Sequence, residues 1–111
     1  MPISNALPII NFPEPASPQN YIILSPNVEK QVTTTAAVVV SYNSLRKGLT
    51  IYNSHSEAVF FDSQSQVTEE RFWLKLQPES YYEMPLPVVI SEISAITLSG
   101  TGTLHIREIV V

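Results

Sequence analysis

Beyond about residue 28, apolar and polar positions alternate in short runs, and turn-forming residues recur roughly every ten residues. No stretch has the period of an amphipathic helix. The best helical candidate, residues 63–71, has no apolar stripe and is predicted to be a loop. This spacing of turn residues indicates an antiparallel sandwich or barrel. We predict an all-β chain that forms a small antiparallel β-sandwich of the jelly-roll or immunoglobulin-like kind.

The alternation also predicts the individual strands and the side of each strand that faces the core. The predicted strands cover residues 32–42, 47–53, 58–61, 72–76, 81–84, 93–98 and 103–110. The side chains predicted to face inward are Leu49, Ile51, Phe72, Leu74, Leu76, Leu104 and Ile106.

Two of these regions carry local signals as well. In residues 32–42, the threonine run 33–35 predicts a turn or a bulge, and Val38, Val40 and Tyr42 are predicted to share one face. The glycines of residues 100–102 predict a tight hairpin between the last two strands.

The first 28 residues have a different character. They contain six of the nine prolines and one charged side chain, Glu14. Proline breaks helices and removes a donor from central strands, so we expect an extended arm (1–28) before a sandwich domain (29–111). A disordered linker is normally poor in large apolar residues, whereas this arm is rich in them. We therefore expect a partner surface to cover the arm. The alternatives are an arm that packs back on its own domain and a tail without a partner.

Composition and charge exclude several classes of protein. The chain has 111 residues, a net charge of −4 and six scattered basic residues, so a nucleic-acid-binding surface is not expected. It contains no cysteine, which excludes disulfides and thiolate metal sites. No apolar run approaches the ~18 residues of a membrane span, and no secretory signal pattern is present, so we expect a soluble protein.

Patterns that carry catalysis or bind metals are missing. His55 is predicted in an exposed turn and His105 in the last strand, and neither has a metal-ligand spacing such as HExxH. Glu69 and Glu70 are adjacent in a predicted loop, as is common for solvated surface charges. Three glycines are too few for a phosphate-cradling loop. We predict no enzyme activity, no cofactor, no metal and no small-molecule substrate.

Several aromatic side chains are predicted to lie on strand faces and to point outward. They are Tyr52, Trp73, Tyr81 and Tyr82. Such rings stack on sugars in carbohydrate-binding modules, anchor neighbouring subunits, or close the ends of a sandwich. The sequence leaves these three roles open.

The order of several short motifs resembles a small β-sandwich module common among tailed-phage virion proteins. The motifs are RKGLTIYN at 46–53, AVFFD at 58–62, LKLQP at 74–78, YYE at 81–83 and GTGTLHIRE at 100–108. The similarity spans about residues 31–109. At position 79, after the LKLQP turn, this chain has glutamate where the module usually has glycine.

An extended arm on such a module is similar in architecture to the capsid cement, or decoration, proteins of tailed phages. The resemblance implies a homotrimeric virion protein on the capsid surface that binds the major capsid protein and clamps neighbouring capsomers. The alternative is a carbohydrate-binding module associated with a tail or fibre. The partner-binding residues expected on this basis are Ile3, Leu7, Ile9, Ile10, Phe12, Tyr21, Ile22, Ile23, Leu24 and Trp73.

Overall fold

The computed structural model describes residues 23–63 and 66–110. Within these ranges the chain forms nine strands and no helix, which confirms the predicted all-β class. The strands are β1 (Ile23–Leu24), β2 (Val28–Val32), β3 (Ala37–Val40), β4 (Arg46–Asn53), β5 (Val59–Ser63), β6 (Leu74–Leu76), β7 (Tyr81–Glu83), β8 (Ile93–Thr97) and β9 (Gly102–Val110).

The strands form two antiparallel sheets that pack face to face, as predicted for a β-sandwich. Sheet A has the order β1-β9-β4-β7, and β2 pairs with the same edge of β9 as β1 does. Sheet B has the order β3-β8-β5-β6. From β2 onward, every connection except the one between β5 and β6 crosses from one sheet to the other. The crossing loops therefore gather at the two ends of the sandwich.

This topology makes the predicted final hairpin wrong. Residues 100–102 join β8 of sheet B to β9 of sheet A, and these two strands do not pair. Gly100 adopts a φ of 72°, which glycine reaches without steric cost, so the sharp turn itself is present. Turn residues report local backbone shape, whereas strand pairing depends on where the rest of the chain lies.

The core lies between the sheets and contains most of the predicted inward side chains. Leu49, Ile51, Leu76, Leu104 and Ile106 are all at most 5% exposed, as predicted. Leu74 is partly buried and packs against this cluster. Sheet B contributes the remaining apolar side chains through Val59, Phe61, Ile93 and Ala95.

The prediction for Phe72 is wrong. Strand β6 begins only at Leu74, and Phe72 is 42% exposed. Its ring meets Phe60 edge to face at 5.2 Å, on the side of sheet B that faces away from the core. The Lys75 ammonium lies 5.5 Å from the same Phe60 ring. Residues 66–73 thus fold against the outside of sheet B instead of extending β6.

The region 32–42 is divided as its threonines suggested, but its faces differ from the prediction. A bend at residues 34–35 separates β2 from β3. The register shifts between Val38 and Val40, so Val39 and Val40 are both buried while Val38 is 43% exposed. Tyr42 lies beyond β3 and is exposed. A bulge changes which side chains face inward, and the shared face of Val38, Val40 and Tyr42 is therefore wrong.

Strand pairing begins inside the range assigned to the arm. Ile23 and Leu24 pair with Val110 and Ile109, and the Ser25 amide donates to the Glu108 carbonyl at 2.8 Å. Residues 1–22 lie outside the described residues, and the division of the chain at residue 28 stays a prediction.

Candidate binding surface

Strand β4 runs the length of the sandwich, and its first and last residues are buried polar side chains. Arg46 is 1% exposed and Asn53 is 0% exposed. We use these residues to name the two ends. The Arg46 end contains β1, the end of β9 and the loops 41–45 and 84–92. The Asn53 end contains the loops 33–36, 54–58, 77–80 and 98–101.

The Arg46 guanidinium ties both loops of its end to β9. Its Nε donates to Glu108 Oε2 at 2.7 Å, and its two Nη atoms donate to the carbonyls of Val89 and Ser41, each at 2.6 Å. Asn43 Nδ2 donates to the other Glu108 oxygen at 3.3 Å. A buried charge is tolerated when it is paired and hydrogen-bonded, as here. This network fixes the loops that present the surface of this end.

Asn53 performs the same task at its own end without a charge. Its Nδ2 donates to the carbonyls of Glu57 and Leu76 at 3.0 Å, and its Oδ1 accepts from the His55 amide at 2.8 Å. The Glu79 amide donates to the Asn53 carbonyl at 2.7 Å. Glu79 has a φ of 60°, so it occupies the left-handed conformation for which glycine is better suited.

His55 belongs to this structural network, and the prediction of an exposed turn histidine is wrong. It is 9% exposed, and its Nε2 lies 2.9 Å from the Ser99 carbonyl. Its ring lies directly against Gly102, where an added Cβ would be 2.2 Å from His55 Cγ. Glycine is needed there because the imidazole fills the space of a side chain.

Exposed apolar side chains are concentrated at the Arg46 end. Eight large ones, with exposed fractions from 36% to 82%, form a group that we call the apolar patch. Its members are Ile23, Leu24, Tyr42, Leu45, Trp73, Leu86, Val89 and Ile90. The described loops of the Asn53 end contribute Leu98 to the same class. A group of large exposed apolar side chains at one end of a small domain often marks an interaction surface.

Hydrogen bonds and strand pairs hold the patch together. The Asn43 amide donates to the Ile90 carbonyl at 2.9 Å, which joins loop 41–45 to loop 84–92. Ile23 pairs with Val110, which in turn pairs with Arg46. Residues 41–45 and 84–91 contain no charged side chain. These pairs place β1 and the two loops at the same end of the sandwich.

A cleft of about 250 Å³ adjoins the patch. Its walls are Asp62, Ser63, Trp73, Val89, Ser91 and Ile93. The Trp73 ring meets the Tyr82 ring edge to face at 5.7 Å, and the Trp73 amide donates to the Phe61 carbonyl at 2.8 Å. Burial raises the pKa of the Tyr82 phenol above its usual value because it disfavours the charged form. Trp73 and Tyr82 thus close the side of the sandwich between β6 and β7, and Trp73 remains 43% exposed toward the cleft.

The other predicted outward aromatics lie on the outer face of sheet A. Tyr81 pairs in register with Tyr52, and Tyr52 pairs with His105. The Tyr52 and His105 rings are 6.0 Å apart, and His105 Nδ1 lies 3.9 Å from Glu29 Oε2. Tyr81 is 61% exposed. The prediction that Tyr82 faces outward is wrong, because Tyr82 pairs with the inward-facing Ile51 and packs against the core. Trp73 lies at the side of the sandwich, and Tyr81, Tyr52 and His105 form a row across the outer face of sheet A.

Of the predicted partner-binding residues, the structure describes three, and all three are exposed members of the apolar patch: Ile23, Leu24 and Trp73. The others, Ile3, Leu7, Ile9, Ile10, Phe12, Tyr21 and Ile22, lie outside the described residues, and their role stays a prediction. Sequence reasoning missed Tyr42, Leu45, Leu86, Val89 and Ile90. The signal that could have found them is the absence of charge in residues 41–45 and 84–91, two segments that contain large apolar residues.

Among the described residues, no group of three histidine, cysteine, aspartate or glutamate side chains is arranged to hold a metal ion. The same residues contain no helix long and apolar enough to cross a membrane. Comparisons of the chain with protein-family models, with curated proteins and with solved structures found no match.

Proposed function

We propose that this protein is a structural binding protein that attaches to a larger assembly through its apolar patch and its N-terminal arm. The observation that carries the proposal is that eight exposed apolar side chains lie at the end of the sandwich that also holds β1. The Arg46 network supports it, since it holds the patch loops in one conformation before binding. Preorganised loops lose less entropy on association.

The specific assembly we propose is the head of a tailed phage, with the protein as a capsid cement protein on its surface. The major capsid protein is then the partner, and three copies associate at each binding position. The support for this step is the resemblance of residues 31–109 to a virion module together with the arm. Cross-linking on the head followed by mass measurement is expected to give trimers; monomers alone would remove the trimer from the proposal.

The mechanism of attachment is burial of apolar area. Each large apolar side chain that becomes fully covered contributes ~1.5–3 kcal/mol. The prolines of the arm reduce the entropy lost on ordering, because their φ is already restricted in the free chain. Together these terms favour a rigid patch for docking and an extended arm for reach.

The test is binding to isolated heads assembled without the protein. Leu45→Ser combined with Leu86→Ser removes two exposed leucines from the patch, and we expect binding to weaken by about 100-fold or more. Leu98→Ser makes the same change at the Asn53 end and should leave binding unchanged. Heads that carry the wild-type protein should also release DNA at a higher temperature than heads without it. No binding by the wild-type protein, or equal release temperatures, would contradict the cement role.

The row on sheet A favours a second candidate function, carbohydrate binding. Tyr81, Tyr52 and His105 place rings on three neighbouring strands, and Glu29 adds a hydrogen-bond acceptor. Aromatic surfaces with a few polar groups at their edge suit sugar rings. A glycan-array signal that is lost in Tyr81→Ala and kept in Leu45→Ser would favour this function over capsid attachment.

A further inference from the structure

The cleft beside the apolar patch has the size of a single side chain. Its volume of about 250 Å³ is smaller than the ~300–1,000 Å³ of most small-molecule sites. Trp73 and Val89 belong both to the cleft and to the patch, so the cleft lies within reach of any partner that covers the patch. The cleft is therefore suited to one side chain that projects from the surface of such a partner.

Asp62 gives the cleft a negative charge that no lysine or arginine of this chain neutralises. It is the only charged residue among those that line the cleft. Its Oδ1 accepts a hydrogen bond from the Ser63 amide at 2.8 Å, which holds the carboxylate beside a second residue of the cleft wall. All six lysine and arginine side chains lie in the described residues, and none of them forms an ion pair with Asp62. The charge therefore favours a cation as the occupant.

Trp73 gives the same cleft an aromatic surface for that cation. It is 43% exposed, and a cation within ~6 Å of a tryptophan ring is attracted to its face. A guanidinium group stacks on aromatic rings, pairs with a carboxylate through two parallel hydrogen bonds, and is more weakly hydrated than an ammonium group. Val89 and Ile93 are aliphatic and suit the methylene stem, and Ser63 and Ser91 carry hydroxyls that can accept from further N–H groups. This combination matches arginine more closely than lysine.

We propose that the partner of the apolar patch inserts an arginine side chain into this cleft, where the guanidinium pairs with Asp62 and stacks on Trp73. The inference rests on the proposed function, because the arginine belongs to the protein that the patch contacts. Apolar contacts alone discriminate weakly between partners, whereas a covered carboxylate disfavours a partner that leaves it unpaired. The patch thus supplies contact area, and the cleft selects the partner.

The first test uses a small probe in place of the partner. N-acetyl-arginine methylamide is titrated into the full-length protein, and N-acetyl-citrulline methylamide is the matched probe of similar shape without the charge. Trp73 is the only tryptophan in the chain, so its single indole N–H resonance reports on the cleft. We expect a saturable shift with a dissociation constant in the millimolar range for the arginine probe and binding about tenfold weaker or more for the citrulline probe. Equal shifts with both probes, or no shift with either, would overturn the proposal.

Two variants assign the contact to Asp62. Asp62→Asn removes the charge, and its side-chain oxygen can still accept the Ser63 amide. Glu57→Gln is the matched control, because it removes one charge from an exposed side chain at the Asn53 end. We expect Asp62→Asn to weaken binding of the arginine probe about tenfold or more and Glu57→Gln to leave it unchanged. An equal loss in both variants would assign the effect to net charge and contradict the proposal. Thermal unfolding of both variants checks that the sandwich is intact.

Binding to isolated heads separates this inference from the proposed function. Asp62→Asn should weaken binding to heads about tenfold, and Glu57→Gln should not. If the wild type binds heads and Asp62→Asn binds them equally well, the arginine contact is wrong and the cement role stands. If the wild type does not bind heads, the cement role is wrong, and the probe titration decides the chemistry of the cleft by itself.

Discussion

The two ends of the sandwich are built on the same principle and present opposite surfaces. At each end a buried polar side chain of β4, Arg46 or Asn53, donates hydrogen bonds to carbonyls of crossing loops. The Arg46 end exposes the apolar patch, whereas the Asn53 end exposes mainly serine, threonine, glutamine and glutamate side chains. The hydrogen bonds that fix a loop and the side chains that the loop exposes to solvent are thus independent properties of this fold. If the proposed function holds, binding belongs to the Arg46 end alone, whereas hydrogen-bonded loops are present at both ends.

The largest effect is expected from Arg46→Met. The change leaves Glu108 without its charged partner, with only the Asn43 hydrogen bond remaining, and the Ser41 and Val89 carbonyls without donors. This should cost about 3 kcal/mol or more of the free energy of unfolding. Lys47→Met is the matched control, since it removes the same charge from an exposed neighbouring side chain. Urea unfolding measures both, and a loss below about 0.5 kcal/mol for Arg46→Met would show that the network does not hold this end.

The second effect concerns glycines at the two ends. Gly102→Ala places a Cβ within 2.2 Å of His55 Cγ and should destabilise the Asn53 end by about 1–3 kcal/mol. Gly48→Ala at the Arg46 end places a Cβ 3.1 Å from the flexible Ile109 Cδ1 and should cost less. His55→Ala should relieve the Gly102→Ala penalty in a double-mutant cycle. Additive losses in that cycle would mean that the His55 ring is not the obstacle.

A smaller effect, of opposite sign, is expected from Glu79→Gly. Glu79 holds a φ of 60°, which costs a residue with a side chain roughly 1–2 kcal/mol. Glycine removes this strain but loses more entropy on folding, so the net gain in thermal stability should be ~0.5–1 kcal/mol. Glu83→Gly in β7 is the control and should be destabilising, because no positive φ is present there. A destabilising Glu79→Gly would show that the glutamate side chain makes a contact that outweighs the strain.

The smallest effect is a pH dependence at the side of the sandwich. Because burial raises the pKa of Tyr82 above 10.0, folding favours the neutral phenol. This contribution is fully present below the unfolded pKa and is lost as the pH rises through the higher folded pKa. Tyr82→Phe should therefore weaken the alkaline decline in unfolding free energy between about pH 9 and about pH 12. If the decline is unchanged in Tyr82→Phe, other titratable groups cause it.

Much of the fold could be predicted from the alternation of apolar and polar residues. That alternation located most strands and five buried members of the core, because a strand with one buried face must show a period of two. The prediction from this alternation was wrong at Phe72, because the Phe72 ring packs against Phe60 on the outer face of sheet B. It was also wrong at Val38, where a bulge shifted the register. Neither the packing of Phe72 outside sheet B nor the bulge at Val38 can be recognised from the spacing of apolar residues.

The candidate binding surface was predictable only in part. Ile23, Leu24 and Trp73 were expected to bind a partner, and their exposure is compatible with that role. Leu45 and Leu86 lie far apart in sequence and come to one end only because the chain crosses between sheets at almost every connection. A loop rich in apolar residues has no fixed neighbour until the topology supplies one.

The sequence by itself determined the all-β class, the proline-rich character of the N-terminal segment and the inward face of β4. These properties follow from side-chain chemistry and from a local backbone period. The tertiary structure decided which strands pair, which end of the sandwich is apolar and what Arg46, Asn53 and His55 do. The reason is physical: a buried polar side chain acquires its role only from the carbonyls that folding brings within hydrogen-bond distance, and these come from distant parts of the chain.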